Sequence, residues 1–177
     1  MSVVVRRPED VLAFTRPTDS FLCGIAANVY QLEFVRFSLR DIDSSQVLFD
    51  IEKPVGQNPT WDDDPLRTNI YSFPKEFLQL RTIGAQILFT VGPQPVPKFR
   101  MIERHYFRGR LLKSFDFTFG FCIPNSTNSW EAIYDLPVFS ADEIAAFVAA
   151  PGEVQSDSFY FAGDQLIMHV KSSYTYT

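Results

Sequence analysis

The stretch SFDFTFGF, residues 114–121, sets a phenylalanine at every second position: Phe115, Phe117, Phe119 and Phe121. Side chains of a β-strand alternate between faces, so this period predicts a strand with four rings on one side and Asp116, Thr118 and Gly120 on the other. A helix would scatter the same rings around its axis. The aromatic face has to be covered, either by a second sheet in a filled core or by a ligand lying between two sheets. Composition bears on that choice. The 177-residue chain carries 18 phenylalanines and seven tyrosines, more than turns and surface positions require.

Period-two patterns recur along the chain. Tyr30, Leu32 and Phe34 share one parity, whereas Phe37 and Leu39 take the other. An extra residue near Val35 and Arg36, a β-bulge, would return Phe37 to the side of Phe34. RDIDSS reads as a hairpin turn leading back through Val47, Phe49 and Ile51, with Asp50 and Glu52 outside. A short strand over residues 70–73 follows, then a longer one with Ile83, Ala85, Ile87, Phe89 and Val91 inward. FRMIERHYFR splits by parity into Arg100, Ile102, Arg104, Tyr106 and Arg108 against Phe99, Met101, Glu103, His105 and Phe107. The C-terminal stretch predicts a hairpin around residues 162–165 and a last strand ending in Tyr174 and Tyr176. Helices are short. RRPEDVLAF places a proline and acidic residues in a first turn and predicts a helix over residues 8–14. SADEIAAFVAA carries a capping box, Ser140 with Glu143, before Ile144, Phe147 and Val148. Many short strands with turn signals predict an all-β antiparallel sandwich over residues 28–177, preceded by an N-terminal segment over 1–27 with its short helix.

The formal charge of -5 and the pI near 5.0 argue against a broad phosphate-binding surface, so nucleic acid is not an expected partner. No apolar run reaches the length of a membrane span, and MSVVVRRPED has neither a signal-peptide core nor a glycine after the methionine. A soluble, unlipidated chain without stable membrane insertion is expected. Cys23 and Cys122 are too few for a disulfide framework, which points to a reducing cytosol. The aspartates of KPVGQNPTWDDDP lack the ligand spacing of a calcium loop and read as surface charge. There is no phosphate loop and no nucleophile elbow, and the two histidines stand in different strands. Neither an enzyme nor a metal or cofactor is expected. Glu103 and His105 nevertheless share a strand face with Phe99, Met101 and Phe107, where each needs a partner. They are either a mutually satisfied core pair or the polar end of a site for a mostly apolar ligand.

FRMIERHYFRGRLLKSFDFTFGFCIPNSTNSW and QSDSFYF, with PEDVLAF and EFVRFSLRDIDSSQVLF upstream, resemble the lipid-chaperone family of the phosphodiesterase delta subunit and the uncoordinated one-nineteen proteins. The likeness covers nearly the whole chain and is closest to the uncoordinated branch. It implies an immunoglobulin-like sandwich whose sheets part to hold a lipid, with Phe34, Phe37, Phe115, Phe117, Tyr160 and Tyr174 facing the chain and Tyr71, Glu103 and His105 facing the first residues of the cargo peptide. The delta branch has a glutamine and an apolar residue where Glu103 and His105 stand. That difference implies N-myristoylated cargo proteins, such as G-protein alpha subunits and ciliary proteins, with prenyl carriage as the alternative. PNSTNSW looks more like the delta branch. The resemblance further implies release by an Arf-like small GTPase in its GTP form, a cytoplasmic location and trafficking to cilia.

Overall fold

The computed structural model describes residues 6–52 and 67–177. Its strands are β1 (Glu33–Asp41), β2 (Val47–Glu52), β3 (Thr68–Phe73), β4 (Thr82–Thr90), β5 (Val96–Phe107), β6 (Arg110–Cys122), β7 (Thr127–Asp135), β8 (Val154–Ala162) and β9 (Gln165–Tyr176), with helices α1 (Pro8–Leu12) and α2 (Ala141–Ala149). They form a four-stranded sheet, β2-β1-β4-β7, and a five-stranded sheet, β3-β9-β8-β5-β6, layered as an immunoglobulin-like β-sandwich. The acidic stretch over residues 53–65 lies outside the described residues. Among those residues no helix is long and apolar enough to cross a membrane.

Local chemistry accounts for most of these elements. Ser140 Oγ accepts from the Glu143 N–H and the Glu143 carboxylate accepts from the Ser140 N–H, closing the expected capping box of α2. Arg108 and Gly109 both have positive φ, 49° and 76°, which makes the two-residue turn between β5 and β6. In β1 the register slips between Phe34 and Arg36, so Val35 is the extra residue and Phe34 and Phe37 face the same interior, as the sequence predicts.

The structure differs from the sequence reading at five points. Phe121 does not continue the ring ladder. β6 bulges at Phe119 and Gly120, where Phe99 pairs with Gly120 while Arg100 pairs with Thr118. The left-handed φ of 102° at Gly120 permits the kink. Parity then inverts, leaving Phe121 61% exposed and Cys122 fully buried. Secondly, β7 occupies Thr127–Asp135, a stretch to which the sequence reading assigned no element. The sandwich is also not wholly antiparallel, because β3 lies parallel to β9; these strands are far apart in sequence, so no tight turn dictates their direction. Val47 and Ile51 are exposed, since β2 is an edge strand that bulges at Leu48. Finally, α1 stops at Leu12, and Phe14 packs edge-on against Phe159 instead of extending the helix.

The N-terminal segment lies across the outer face of the five-stranded sheet. Val11 is fully buried there with Ile102, Phe159 and Phe161. A polar network fixes the strap beyond it. The Asp157 carboxylate accepts from the Thr18 N–H (2.8 Å), from Lys171 Nζ (2.8 Å) and from His169 Nε2 (2.9 Å). His169 Nδ1 in turn accepts from the Leu22 N–H at 3.0 Å, so the ring is held as the neutral tautomer with its proton on Nε2. Burial pulls the His169 imidazole below its ordinary range, with Lys171 and Arg67 adding to this and Asp157 opposing it.

The sign of the pH effect follows. Between an ordinary imidazole pKa near 6.5 and the lower value in the fold, the unfolded chain takes up a proton that the native state refuses, so stability falls as pH drops through that window. Thermal unfolding midpoints are therefore expected to decline from pH 7.5 to 5.5. His169→Gln, whose amide can also donate to Asp157 and accept from Leu22, should flatten that decline; an unchanged slope would place the acid sensitivity elsewhere.

Candidate functional site

Between the two sheets lies a cavity of about 380 Å³. A single water needs only roughly 10–15 Å³ of such space, and ordinary interiors hold few voids even of that size. The middle of this sandwich is therefore not a filled core. Packed cores close both of its ends. One is built around Phe89, Phe99 and Ile167 and the other around Leu39, Ile83 and Phe147. Ring contacts prop the sides, with Phe49 on Tyr71 at 5.4 Å between β2 and β3 and Phe115 on Tyr134 at 4.3 Å between β6 and β7.

Strand register orders the inner face of the five-stranded sheet. Met168, Tyr160, Met101 and Phe117 form one row across β9, β8, β5 and β6. Val170, Ser158, Glu103 and Phe115 form the next, and Ser172, Ser156, His105 and Lys113 the one after, which β3 extends with Asn69. A mostly apolar floor thus gives way to a polar band. Facing it, the four-stranded sheet contributes Phe34, Phe37, Ile87 and Trp130. Among its lining residues Arg36 of β1 and Ile51 of β2 are exposed, and Lys113 of β6 and Pro137, just beyond β7, are half-buried.

All nine residues singled out from the sequence line this one cavity: Phe34, Phe37, Phe115, Phe117, Tyr160, Tyr174, Tyr71, Glu103 and His105. His105 Nε2 donates to Glu103 Oε1 at 2.5 Å, and Ser158 Oγ donates to Glu103 Oε2 at 3.0 Å. Burial pushes the Glu103 carboxyl up, but His105 and Ser158 together outweigh it and hold the group below its ordinary range. Each member of the Glu103–His105 pair keeps 21% of its side-chain surface open. The His105 ring lies 5.5 Å from Tyr174, which stacks 5.5 Å from Tyr71. Burial, reinforced by the Glu103 charge, pushes the Tyr71 hydroxyl up to about 12 and raises Tyr160 and Tyr134 as well. These three hydroxyls stay protonated at neutral pH and have no hydrogen-bond partner among the described residues.

Sequence reasoning missed part of the wall. Trp130, Ala132 and Tyr134 come from β7, and their alternation was the signal available for that strand. Ser158, Ser172 and Lys113 became visible only through register. Among the described residues no cluster of His, Cys, Asp or Glu could hold a metal ion, and both cysteines are free.

Residues 26–176 match the family model described as GMP-PDE, delta subunit. The chain is 47% identical over 179 residues to Protein unc-119 homolog B of Homo sapiens, covering 96% of this chain and 71% of the relative. It is 48% identical over 171 residues to Protein unc-119 of Caenorhabditis briggsae, covering 96% and 79%. With Protein unc-119 homolog of Drosophila melanogaster the identity is 44% over 190 residues, covering 96% and 72%.

An unfilled interior has a measurable signature. Phe89, fully buried and packed on Phe99 and Phe119, is expected to lose about 3–5 kcal/mol on truncation to Ala, as in any filled core. Phe117→Ala should cost clearly less, because that ring already borders open space. Urea unfolding measures both, and equal losses would mean that the rings at Phe117 are packed as a solid core.

Proposed function

The chain belongs to the GMP-PDE delta subunit family, a family of lipid-binding carriers, and on that premise we propose that it carries proteins acylated by myristate at the N-terminus. The observation that supports this most is the pairing of an open apolar floor, Met101, Phe117 and Tyr160, with the Glu103–His105–Ser158 group beside it. A chain of about a dozen methylenes gains on the order of 10 kcal/mol from burial, yet a bilayer offers it similar burial. Hydrocarbon alone therefore selects nothing. Selection falls to the polar band, where a carboxylate can accept the amide N–H that follows an acyl group and the tyrosine hydroxyls can donate to its carbonyls. A thioether-linked prenyl group offers no amide at that place. The carrier performs no covalent chemistry on its cargo, works in the cytoplasm and serves traffic to cilia.

Release in this reading comes from an Arf-like GTPase in its GTP form that docks on an edge strand, whose unpaired backbone groups can extend a partner's sheet. Linkage then requires that the loaded carrier bind the GTPase less tightly than the empty one, by the same factor as the GTPase weakens cargo.

Fluorescence polarisation tests the cargo class. A labelled peptide beginning with myristoyl-glycine is expected to bind far more tightly than its unacylated form or a C-terminally farnesylated peptide. Equal or tighter binding of the farnesylated peptide would make this a prenyl carrier, and binding of neither would remove the lipid reading. For release, stopped-flow dissociation of the acyl peptide should accelerate with the GTP-analogue form of the GTPase and not with the GDP form; identical rates would sink the switch.

A further inference from the structure

Two cations line the cavity, Arg36 and Lys113. Arg36 is held by Asp50 through two hydrogen bonds, whereas Lys113 has neither a carboxylate nor a hydrogen-bond acceptor among the described residues. Its ammonium instead lies 4.3 Å above the Phe115 ring and 5.5 Å from that of Tyr134. Ring faces stabilise the charge but satisfy its three donors poorly. Burial pulls the group below the ordinary lysine range, with Asp135 opposing at longer reach. The ammonium is not sealed from water, so an oxygen arriving in the cavity can take the place of a water on its free donors.

Position indicates which acceptor. Inward-facing residues along β6 run Phe117, Phe115, Lys113, and Lys113 stands directly across from His105. An acyl chain lying on the two rings brings the groups that follow it to Lys113, whose ammonium reaches toward the Tyr134 ring of β7 at the β6–β7 edge. Glu103 already supplies an acceptor in this neighbourhood, so a donor here completes the pair needed to read a peptide. Resting on the carrier reading above, we infer that Lys113 reads cargo: its ammonium donates to an oxygen of the peptide that follows the buried acyl chain, and that peptide leaves the cavity along the β6–β7 side. The oxygen is either a main-chain carbonyl or an acidic side chain of the first cargo residues.

Two myristoylated octapeptides, identical except for Glu or Lys at the third residue, distinguish these sources by fluorescence polarisation. Lys113→Met is expected to weaken binding about tenfold, as for loss of a hydrogen bond from a charged donor, while Lys113→Arg, which keeps charge and donors, stays within about twofold. A loss for both peptides assigns the main-chain carbonyl, and a loss for the Glu peptide alone assigns the acidic side chain. The inhibition constant of tetradecanol, which has the chain but no peptide, should be unchanged in every variant. Unaltered peptide affinity in Lys113→Met, or a parallel loss for tetradecanol, would overturn the inference. If Lys113→Met does not fold, Lys113→Leu, which also lacks a donor, gives the same comparison. Wild-type protein that holds tetradecanol but neither peptide would overturn the carrier reading and this inference with it.

Discussion

Everything about this molecule depends on keeping two sheets apart over their middle while they pack normally at both ends. Facing sheets gain from collapse, because contact removes apolar surface from water at about 25 cal/mol per Å². Here collapse is blocked by rings too large to interdigitate and already engaged with each other. Phe115 leans on Tyr134, Phe34 on Tyr160 at 5.0 Å, and Tyr71 on both Phe49 and Tyr174. Each contact spans or flanks the gap. The fully buried Phe89, Phe99, Ile83 and Phe147 beyond them supply the stability that the open centre forgoes.

An open apolar centre makes its polar residues conspicuous. An unpartnered carboxylate in such a place would cost several kcal/mol or take up a proton. Glu103 avoids both outcomes by accepting from His105 and Ser158, and it still presents lone pairs to whatever enters. The same carboxylate disfavours ionisation of the surrounding tyrosines, which remain donors. The cavity thus offers an acceptor and several donors at one level and hydrocarbon surface at the others. That arrangement suits a ligand whose polarity changes once along its length.

How much of this could be read beforehand depends on how local each feature is. The β-period of the phenylalanines, the bulge at Val35 and the capping box at Ser140 are encoded within a few residues and appear as expected. The Glu103–His105 contact is equally local, being i to i+2 on one strand. By contrast, the reversal at Phe119–Gly120 turns on a single glycine whose positive φ the alternation conceals, although a glycine inside a strand is the usual hint of a bulge. β7 follows PNST, a turn signal strong enough to mask the alternation of Trp130, Ala132 and Tyr134. The row from Asn69 to Lys113 joins five strands, and no local pattern reveals such a row until register is known. The likeness to known relatives, not periodicity, picked out Tyr71 and Tyr160.

The N-terminal strap bears on the cavity although it lies on the other side of the sheet. Asp157 sits between Ser156 and Ser158 on β8, so the carboxylate that ties down Thr18, Lys171 and His169 on the outer face shares its backbone with the serines that hold Tyr174 and Glu103 on the inner face. On β9, Lys171 and Ser172 are likewise adjacent and opposed. Because successive residues point to opposite faces, any shift of β8 or β9 large enough to break the outer network must also displace the polar band. The outer network is satisfied by buried, directional contacts, with Asp157 and His169 both almost wholly shielded from water. It therefore resists such shifts more strongly than the inner face, which borders open space, could resist them alone. The polar band is held in place from behind by the outer network as well as by its own hydrogen bonds.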